Sequence, residues 1–235
     1  MKITLIGTGN VATSLRPALE GAGHEVVQSS GRKFAETGTL PPRTNIFIIC
    51  VKDNAIPAVA KALAGTDKLV VHTAGSISLE NIPAKRRGVL YPMQTFSKAR
   101  PVDFSEVPVF IESDTDLELL EGLAKSISKK VYHLDSEGRK YLHLAAVFAS
   151  NFTNHCYDLS ATLLQEHGIP FEVMLPLIDE TARKVHALSP REAQTGPAVR
   201  YDTSVIEKQE ALLTGSKREI YRLMSQNIHE YHDKL

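Results

Sequence analysis

The feature that most constrains this chain lies in its first dozen residues, where an apolar run leads into two closely spaced glycines. Residues 7–12 read Gly-Thr-Gly-Asn-Val-Ala, the pattern G-x-G-x-x-A between a strand-like run and a helical pattern. The first glycine permits a tight turn, the second lets backbone approach a pyrophosphate, and the alanine lets helix and strand pack closely. The free N–H groups at a helix start attract anions. The pattern therefore predicts dinucleotide binding by Gly7, Thr8, Gly9, Asn10 and Val11.

Strand-like runs and helical patterns alternate over the first 135 residues. Six runs rich in Ile, Val and Leu are nearly continuous in apolar character, which is typical of parallel strands buried on both faces. Beyond residue 135 the strand signals stop and helical patterns follow one another. We therefore expect an α/β fold, with a Rossmann-like doubly wound parallel sheet over residues 1–135 and an all-α C-terminal domain over residues 136–235.

Charge and composition narrow the classes of partner. The chain has 27 basic and 27 acidic residues, whereas nucleic-acid and membrane-surface binding both need a basic excess. No apolar run is long enough to span a bilayer, and the first is too short for a secretory signal. The two cysteines lie in apolar stretches and are interpreted as buried thiols in a reducing compartment. The expected partner is a small-molecule substrate, without nucleic acid or membrane, and the expected location is the cytoplasm.

The end of the second strand-like run favours one dinucleotide over another. NAD-binding folds usually carry Asp or Glu there, for the ribose 2′-hydroxyl. This chain has Gln-Ser-Ser-Gly-Arg-Lys over residues 28–33 instead. Ser30, Arg32 and Lys33 suit a 2′-phosphate, so the cofactor is predicted to be NADP. The alternative is that Arg32 and Lys33 are solvated loop charges.

Polar residues follow two further strand-like runs, and ligands of a doubly wound sheet bind beyond the carboxyl ends of its strands. His72 and Thr73 end one run, while Tyr91 ends another and precedes Gln94 and Thr95. A lone histidine is more often structural than catalytic, but its place at a strand end favours a role. His72 and Tyr91 are predicted to be catalytic, Thr73 to bind the cofactor, and Gln94 and Thr95 to bind substrate.

A long helical pattern over residues 136–167 carries a polar stripe. His143, Ser150, Asn151 and Asn154 fall on one face at a 3.6-residue repeat, within an otherwise apolar stretch. The alternative is a solvent-facing or inter-helix hydrogen-bonded stripe. Because an imidazole titrates near neutrality, His143 is the candidate proton donor, and Asn151 is predicted to orient the substrate.

The same long helix needs partners along its length. A homodimer through the helical domain is the favoured interpretation, and a monomeric bundle is the alternative. Farther along, a glycine–proline break precedes Arg200, whose guanidinium could hold an anionic substrate group. The alternative for Arg200 is a surface pair with Asp202.

Several segments carry a resemblance to known families. "IGTGNVATSL" and "CVKDNAIPAVAKAL" resemble pyrroline-5-carboxylate reductases and deazaflavin-dependent NADP oxidoreductases. "HTAGSISLENI", "GVLYPMQTFS", "HLAAVFASNFTNH" and "TGPAVRYD" look closer to a family of NADP oxidoreductases without an assigned reaction. That family joins a Rossmann-like domain to a helical domain of the 6-phosphogluconate dehydrogenase C-terminal type. The resemblance implies NADP as cofactor, with Val51 and Lys52 lining the dinucleotide.

Two functions are consistent with these features. The first is an NADP-dependent oxidoreductase, a reductase that acts on a small carbonyl or imine compound bound between the two domains. The second is a non-catalytic NADP-binding sensor or partner-binding protein on the same fold. A sensor needs the glycine turn, but it does not need His72, Tyr91, His143 and Asn151 to converge near the nicotinamide.

Overall fold

The computed structural model describes residues 1–38, 41–100 and 102–233. The chain divides into two compact units, Met1–Phe152 and Thr153–Leu235. The first unit contains a seven-stranded sheet, and the second is helical.

The strands of the first unit follow the sheet order β2-β1-β3-β4-β5-β6-β7. Neighbouring strands are parallel except β5 and β6, which are antiparallel. The predicted doubly wound α/β fold is confirmed, with that one pair as an exception. An apolar run looks the same in either direction, so the sequence could not reveal it. The strands are β1 Lys2–Ile6, β2 Glu25–Ser29, β3 Ile46–Ile49, β4 Leu69–His72, β5 Arg87–Pro92, β6 Val109–Ser113 and β7 Val131–His133.

Helices cover both faces of this sheet. They are α1 Asn10–Gly21, α2 Gly31–Thr37, α3 Ile56–Ala62, α4 Leu117–Ile127 and α5 Ser136–Ala146, and a π-helical turn Val147–Phe152 follows α5. Along β3, Ile46 and Ile48 belong to one apolar cluster, while Phe47 and Ile49 belong to another. The two clusters lie on opposite sheet faces because successive strand side chains alternate. This burial on both faces explains the continuous apolar runs in the sequence.

The second unit consists of helices and connecting loops. Its helices are α6 Thr153–Glu166, α7 Leu175–Ala187, α8 Pro190–Ala193, α9 Thr203–Glu210 and α10 Gly215–Asp233. This agrees with the predicted all-α C-terminal half. None of the described side chains on these five helices is buried.

The boundary between the units lies beyond the residue at which the second domain is predicted to begin. Helix α5 starts at Ser136, but residues up to Phe152 group with the sheet. His143 and Asn151 therefore belong to the sheet-containing unit. The division of function at residue 135 stays a prediction.

Among the described helices, none combines the length and the apolar character that crossing a membrane requires.

Candidate functional site

The glycine turn after β1 is fixed by neighbouring backbone. Gly7 has a φ of 135°, and a Cβ there would lie 2.0 Å from the carbonyl oxygen of Cys50. Only glycine fits at this position. The Gly7 N–H donates to the Ser29 carbonyl at 2.8 Å, and Nε2 of Gln28 donates to the Gly7 carbonyl at 2.8 Å. The turn is thus held between β2 and β3, and Gln28 is a supporting residue that the sequence analysis missed.

The helix after this turn starts without a side-chain cap. Gly9 occupies the N-cap position of α1, no described side chain accepts from the first N–H groups, and the first turn carries no acidic residue. The unpaired N–H groups and the positive end of the helix dipole favour an anion. Gly9 also has open space around it, with no heavy atom within 4 Å of an added Cβ. This arrangement fits a pyrophosphate.

A cavity of about 940 Å³ opens at the carboxyl ends of the central strands, and we call it cavity A. Its size is that of a large organic ligand. All the residues predicted to bind the cofactor except Lys33 line it. Those residues are Gly7, Thr8, Gly9, Asn10, Val11, Ser30, Arg32, Val51, Lys52 and Thr73.

The three residues predicted at the 2′-phosphate occupy different places. Ser30 is the N-cap of α2, and its Oγ accepts from the Lys33 backbone N–H at 3.3 Å. Arg32 is exposed and lines cavity A, whereas Lys33 is exposed and does not line it. The structure therefore brings Ser30 and Arg32 to the cavity but not the Lys33 side chain. Helix α2 is not among the predicted elements, and the alternative interpretation of Arg32 and Lys33 as loop charges does not hold, because both lie on this helix.

A second cavity, of about 640 Å³, lies beyond the end of β5, and we call it cavity B. It contains five of the predicted catalytic and substrate-binding residues: Tyr91, Gln94, Thr95, His143 and Asn151. Asn10 and Val11 line both cavities. The start of α1 therefore joins the wall of cavity A to the wall of cavity B.

Tyr91 and His143 form the polar pair of cavity B. The Tyr91 hydroxyl lies 3.1 Å from Nδ1 of His143, and the rings meet edge to face. Burial raises the pKa of Tyr91, so its hydroxyl stays protonated at neutral pH. A neutral imidazole that accepts this hydrogen bond carries its proton on Nε2. No hydrogen bond joins Nε2 to another described residue, so this nitrogen is available to a ligand.

Gly75 packs closely against the imidazole of His143. A Cβ on Gly75 would lie 2.6 Å from Nδ1 of His143 and 2.9 Å from its Cβ. Any larger residue would displace the ring. Gly75 follows β4, and nothing in its immediate sequence indicates a contact with a residue 68 positions later.

The π-helical turn brings Asn151 into line with His143. Eight residues separate them, almost one residue more than two α-helical turns. A π turn bonds i to i+5 and so contains one additional residue. The turn Val147–Phe152 therefore compensates for the excess, and Ser150 and Asn151 line cavity B together with His143.

A buried ion pair fixes the start of α5. The Arg139 side chain is 1% exposed, pairs with Glu112 on β6 and donates to the carbonyl of Ile77. Oγ of Ser136 also donates to Glu112, at 2.8 Å. These bonds hold α5 against β6 and the loop after β4, one turn before His143. Nothing in the local sequence indicates this cluster, because a charged residue normally lies on the surface.

His72 lies behind the cavity walls. It is fully buried and lines neither cavity. Its Nδ1 accepts from the Ala74 N–H at 3.2 Å, and its Nε2 has no partner among the described residues. Burial, and next the positive charge of Arg139, lower the pKa of His72 to about 4. A buried neutral imidazole cannot contact a substrate here, so the catalytic role predicted for His72 finds no support.

Arg200 belongs to the second unit, in the segment before α9. It is exposed and has no described partner, while Asp202 caps α9 by accepting from the Val205 N–H at 3.3 Å. The alternative of a surface pair between Arg200 and Asp202 is therefore not observed. The predicted contact between Arg200 and a substrate stays a prediction. No cluster of His, Cys, Asp and Glu in the described ranges could hold a metal ion.

Comparisons with known proteins agree with this architecture. Residues 107–228 match the family model described as a domain of unknown function, DUF2520. The structure is similar to that of a protein named putative NADP oxidoreductase, from Bacteroides fragilis. The two are 45% identical, with a TM-score of 0.89 over 97% of this chain and 98% of that chain. Among curated proteins no match was found.

Two more distant structures share the fold. Protein TM1727 from Thermotoga maritima is 22% identical, with a TM-score of 0.73 over 99% of this chain and 98% of that chain. The imine reductase from Streptomyces aurantiacus is 13% identical, with a TM-score of 0.61 over 100% of this chain and 95% of that chain. At these identities the likeness concerns the fold alone.

Proposed function

The chain belongs to the DUF2520 family, and from this premise and its two adjoining cavities we propose that it is an NADP-dependent oxidoreductase. Its substrate is a small carbonyl or imine compound bound in cavity B. The observation that carries the proposal is that Asn10 and Val11 line both cavities. These residues stand at the uncapped start of α1. A dinucleotide in cavity A is therefore adjacent to the Tyr91–His143 pair.

The residues of cavity B suit the protonation that accompanies a reduction. When bound, the cofactor supplies a hydride to the reacting carbon, and negative charge develops on the attached oxygen or nitrogen. In its protonated form His143 donates the Nε2 proton to this atom and becomes neutral, while its Nδ1–H stays hydrogen-bonded to the Tyr91 oxygen. Asn151 orients the substrate by hydrogen bonding from the π turn.

The residues at the rim of cavity A support NADP rather than NAD. The end of β2 carries no acidic residue for a ribose 2′-hydroxyl, and Ser30 and Arg32 stand in its place. The relative from Bacteroides fragilis carries NADP in its name. We assign the 2′-phosphate to Ser30 and Arg32, with Lys33 outside the cavity wall.

The assembly that we propose is a homodimer through the helical unit. Helices α6 to α10 carry many apolar residues, but none of their described side chains is buried. Leu177 on α7, Leu212 between α9 and α10, and Leu223 on α10 are 58%, 82% and 59% exposed. A second copy would remove this apolar surface from water.

The cofactor assignment is tested by titrating NADPH and NADH, with the fluorescence of the reduced cofactor as the signal. Arg32→Ala should weaken NADPH binding by about tenfold or more and leave NADH nearly unchanged, because one charge-assisted phosphate contact contributes about 1.5–3 kcal/mol. Lys33→Ala is the matched control and should bind both cofactors like the unmodified protein. Equal affinity of the unmodified protein for NADH and NADPH would contradict the assignment.

The catalytic assignment is tested by screening small ketones, keto acids and cyclic imines for NADPH oxidation. On any substrate found, His143→Ala should reduce turnover about 10²–10⁴-fold, the usual contribution of general acid catalysis, with NADPH affinity nearly unchanged. A variant that turns over at the original rate rules out His143 as the donor. A broad screen without any reduced compound favours the non-catalytic NADP-binding alternative.

A further inference from the structure

Among its described residues, the wall of cavity B carries one histidine, His143, and no lysine or arginine. Its polar described residues are amides and hydroxyls, and its remaining described residues are apolar. The polar set is Asn10, Tyr91, Gln94, Thr95, Ser150 and Asn151, together with His143. No Lys, Arg, Asp or Glu is among the described lining residues.

Two of the cations nearest in sequence to this wall are paired with acids, and a third lines a different cavity. Arg139 is buried and paired with Glu112, and Lys140 pairs with Glu137 on the exposed face of α5. Lys98, three residues after Thr95, lines a different cavity. Apart from His143, which serves the reacting atom, none of the described side chains that line cavity B is therefore a cation.

Chemistry limits what such a wall can bind. A carboxylate or phosphate removed from water needs a cation or several strong donors, and an unpaired buried charge is very costly. Oε1 of Gln94 already accepts from the Thr95 N–H at 2.9 Å, which leaves the Gln94 amide NH₂ free to donate. Donors of this kind suit an uncharged oxygen or nitrogen acceptor. Val11, Met93, Phe96 and Leu142 provide an apolar surface for a substituent.

We propose that the substrate of cavity B is uncharged: a ketone, aldehyde or imine with an apolar substituent and without a carboxylate or phosphate. This inference rests on the proposed function and narrows its substrate class. It opposes the predicted role of Arg200 in holding an anionic substrate group.

The test compares substrate pairs that differ by one carboxylate, using the full chain saturated with NADPH. Acetophenone with phenylglyoxylate and cyclohexanone with 4-oxocyclohexanecarboxylate are such pairs. We expect kcat/KM to be at least about tenfold higher for the neutral member, since an unpaired carboxylate costs more than the free energy equivalent of that factor. Equal or faster reduction of the acids overturns the inference while leaving the proposed oxidoreductase intact.

A binding measurement separates failure of the inference from failure of the proposed function. If neither these pairs nor any compound of the broad screen is reduced, the oxidoreductase proposal fails, and saturation-transfer NMR on the same NADPH-loaded chain still decides the inference. Stronger signals from the neutral probes support it. Equal signals, stronger signals from the acids, or no binding of either member overturn it.

Charge added to the wall gives a second, independent readout. Ala146→Lys, and Ala149→Lys if the first variant folds poorly, place a cation on the lining. Either should shift the preference toward the acid by about tenfold, because the carboxylate gains a charge-assisted partner. Glu137→Gln changes the net charge by the same amount on the exposed part of α5 and should not shift it. An unchanged preference in both lysine variants would show that the carboxylate does not meet this wall.

Discussion

His72 and His143 both contact the loop that follows β4, but one is buried and the other lines a cavity. His72 is buried, accepts from the Ala74 N–H, and has a pKa lowered to about 4. His143 lies on the wall of cavity B, with Nδ1 against Tyr91 and Gly75 packed behind it. The buried histidine therefore affects stability, whereas the cavity histidine is available to a ligand.

His72 makes stability depend on pH in a defined direction. Its pKa is about 4 in the folded protein and about 6.5 in an unfolded chain, so between these values the unfolded chain binds the extra proton. The free energy of unfolding should therefore fall by about 2 kcal/mol from pH 7 to pH 5 through this group. Urea denaturation at the two pH values measures the loss.

The variant His72→Asn identifies the source of that loss. Asparagine can accept from the Ala74 N–H but cannot take up a proton, so its stability should change less with pH. His186→Asn serves as control, because His186 is exposed on α7 and has no ion-pair partner among the described residues. A pH dependence that is the same in His72→Asn as in the unmodified protein refutes the assignment.

At the scale of elements, the orientation of α5 depends on a buried charge pair at its first turn. Arg139 is 1% exposed and meets Glu112, which is 17% exposed. Removing one partner of a buried pair leaves an uncompensated charge, at a cost of about 3–5 kcal/mol. The pair therefore positions the helix that carries His143.

Glu112 on β6 and Asp114, which follows the strand, test this directly. Glu112→Gln should lower the free energy of unfolding by about 3 kcal/mol, because Arg139 is left buried and unpaired. Asp114→Asn removes a partner from Arg87 in a more exposed pair and should cost less than about 1 kcal/mol. Urea denaturation of both variants provides the comparison. Equal losses would mean that the buried pair does not fix α5.

Local signals explain which elements could be predicted from the sequence. The glycine spacing and the apolar runs are signals that lie within a few consecutive residues. The sheet and the residues of cavity A could therefore be predicted. Helix α2 has seven residues and a single buried one, Phe34, which is too little for a helical period to be recognised. Strand β7 is shorter still, with three residues.

Long-range contacts explain what could not be predicted of the candidate site. Tyr91 and His143 are 52 positions apart, and Gly75 meets His143 only because their elements pack together. The burial of His72 likewise depends on the layers around it and not on its place at a strand end. Chemical type and strand-end position indicated candidates, but the tertiary fold selected among them.

At the scale of the whole molecule, the two units differ in how their apolar residues are covered. The sheet of the first unit has side chains buried on both faces, while the described side chains on α6 to α10 are all at least partly exposed. A folded helical unit with this much uncovered apolar surface is expected to associate.

The corresponding prediction concerns mass in solution. Light scattering at micromolar concentration should give twice the mass of one chain. Leu223→Lys, on α10, should shift the protein toward the monomer because it introduces a charge into the apolar surface. Leu119→Lys, at an exposed position on α4, should remain dimeric. A monomer mass for the unmodified protein contradicts the dimer.

The two cysteines give the chain an unequal pair of thiols. Cys50 is a buried residue of the wall of cavity A, with its sulfur beside the Thr73 hydroxyl, and burial raises its pKa to about 12. At neutral pH it has almost no thiolate and resists alkylation and oxidation. Cys156, on α6, is partly exposed. The unmodified chain therefore has one thiol that a maleimide can reach. A maleimide dye would label Cys156 in the helical unit and would not react beside the glycine turn.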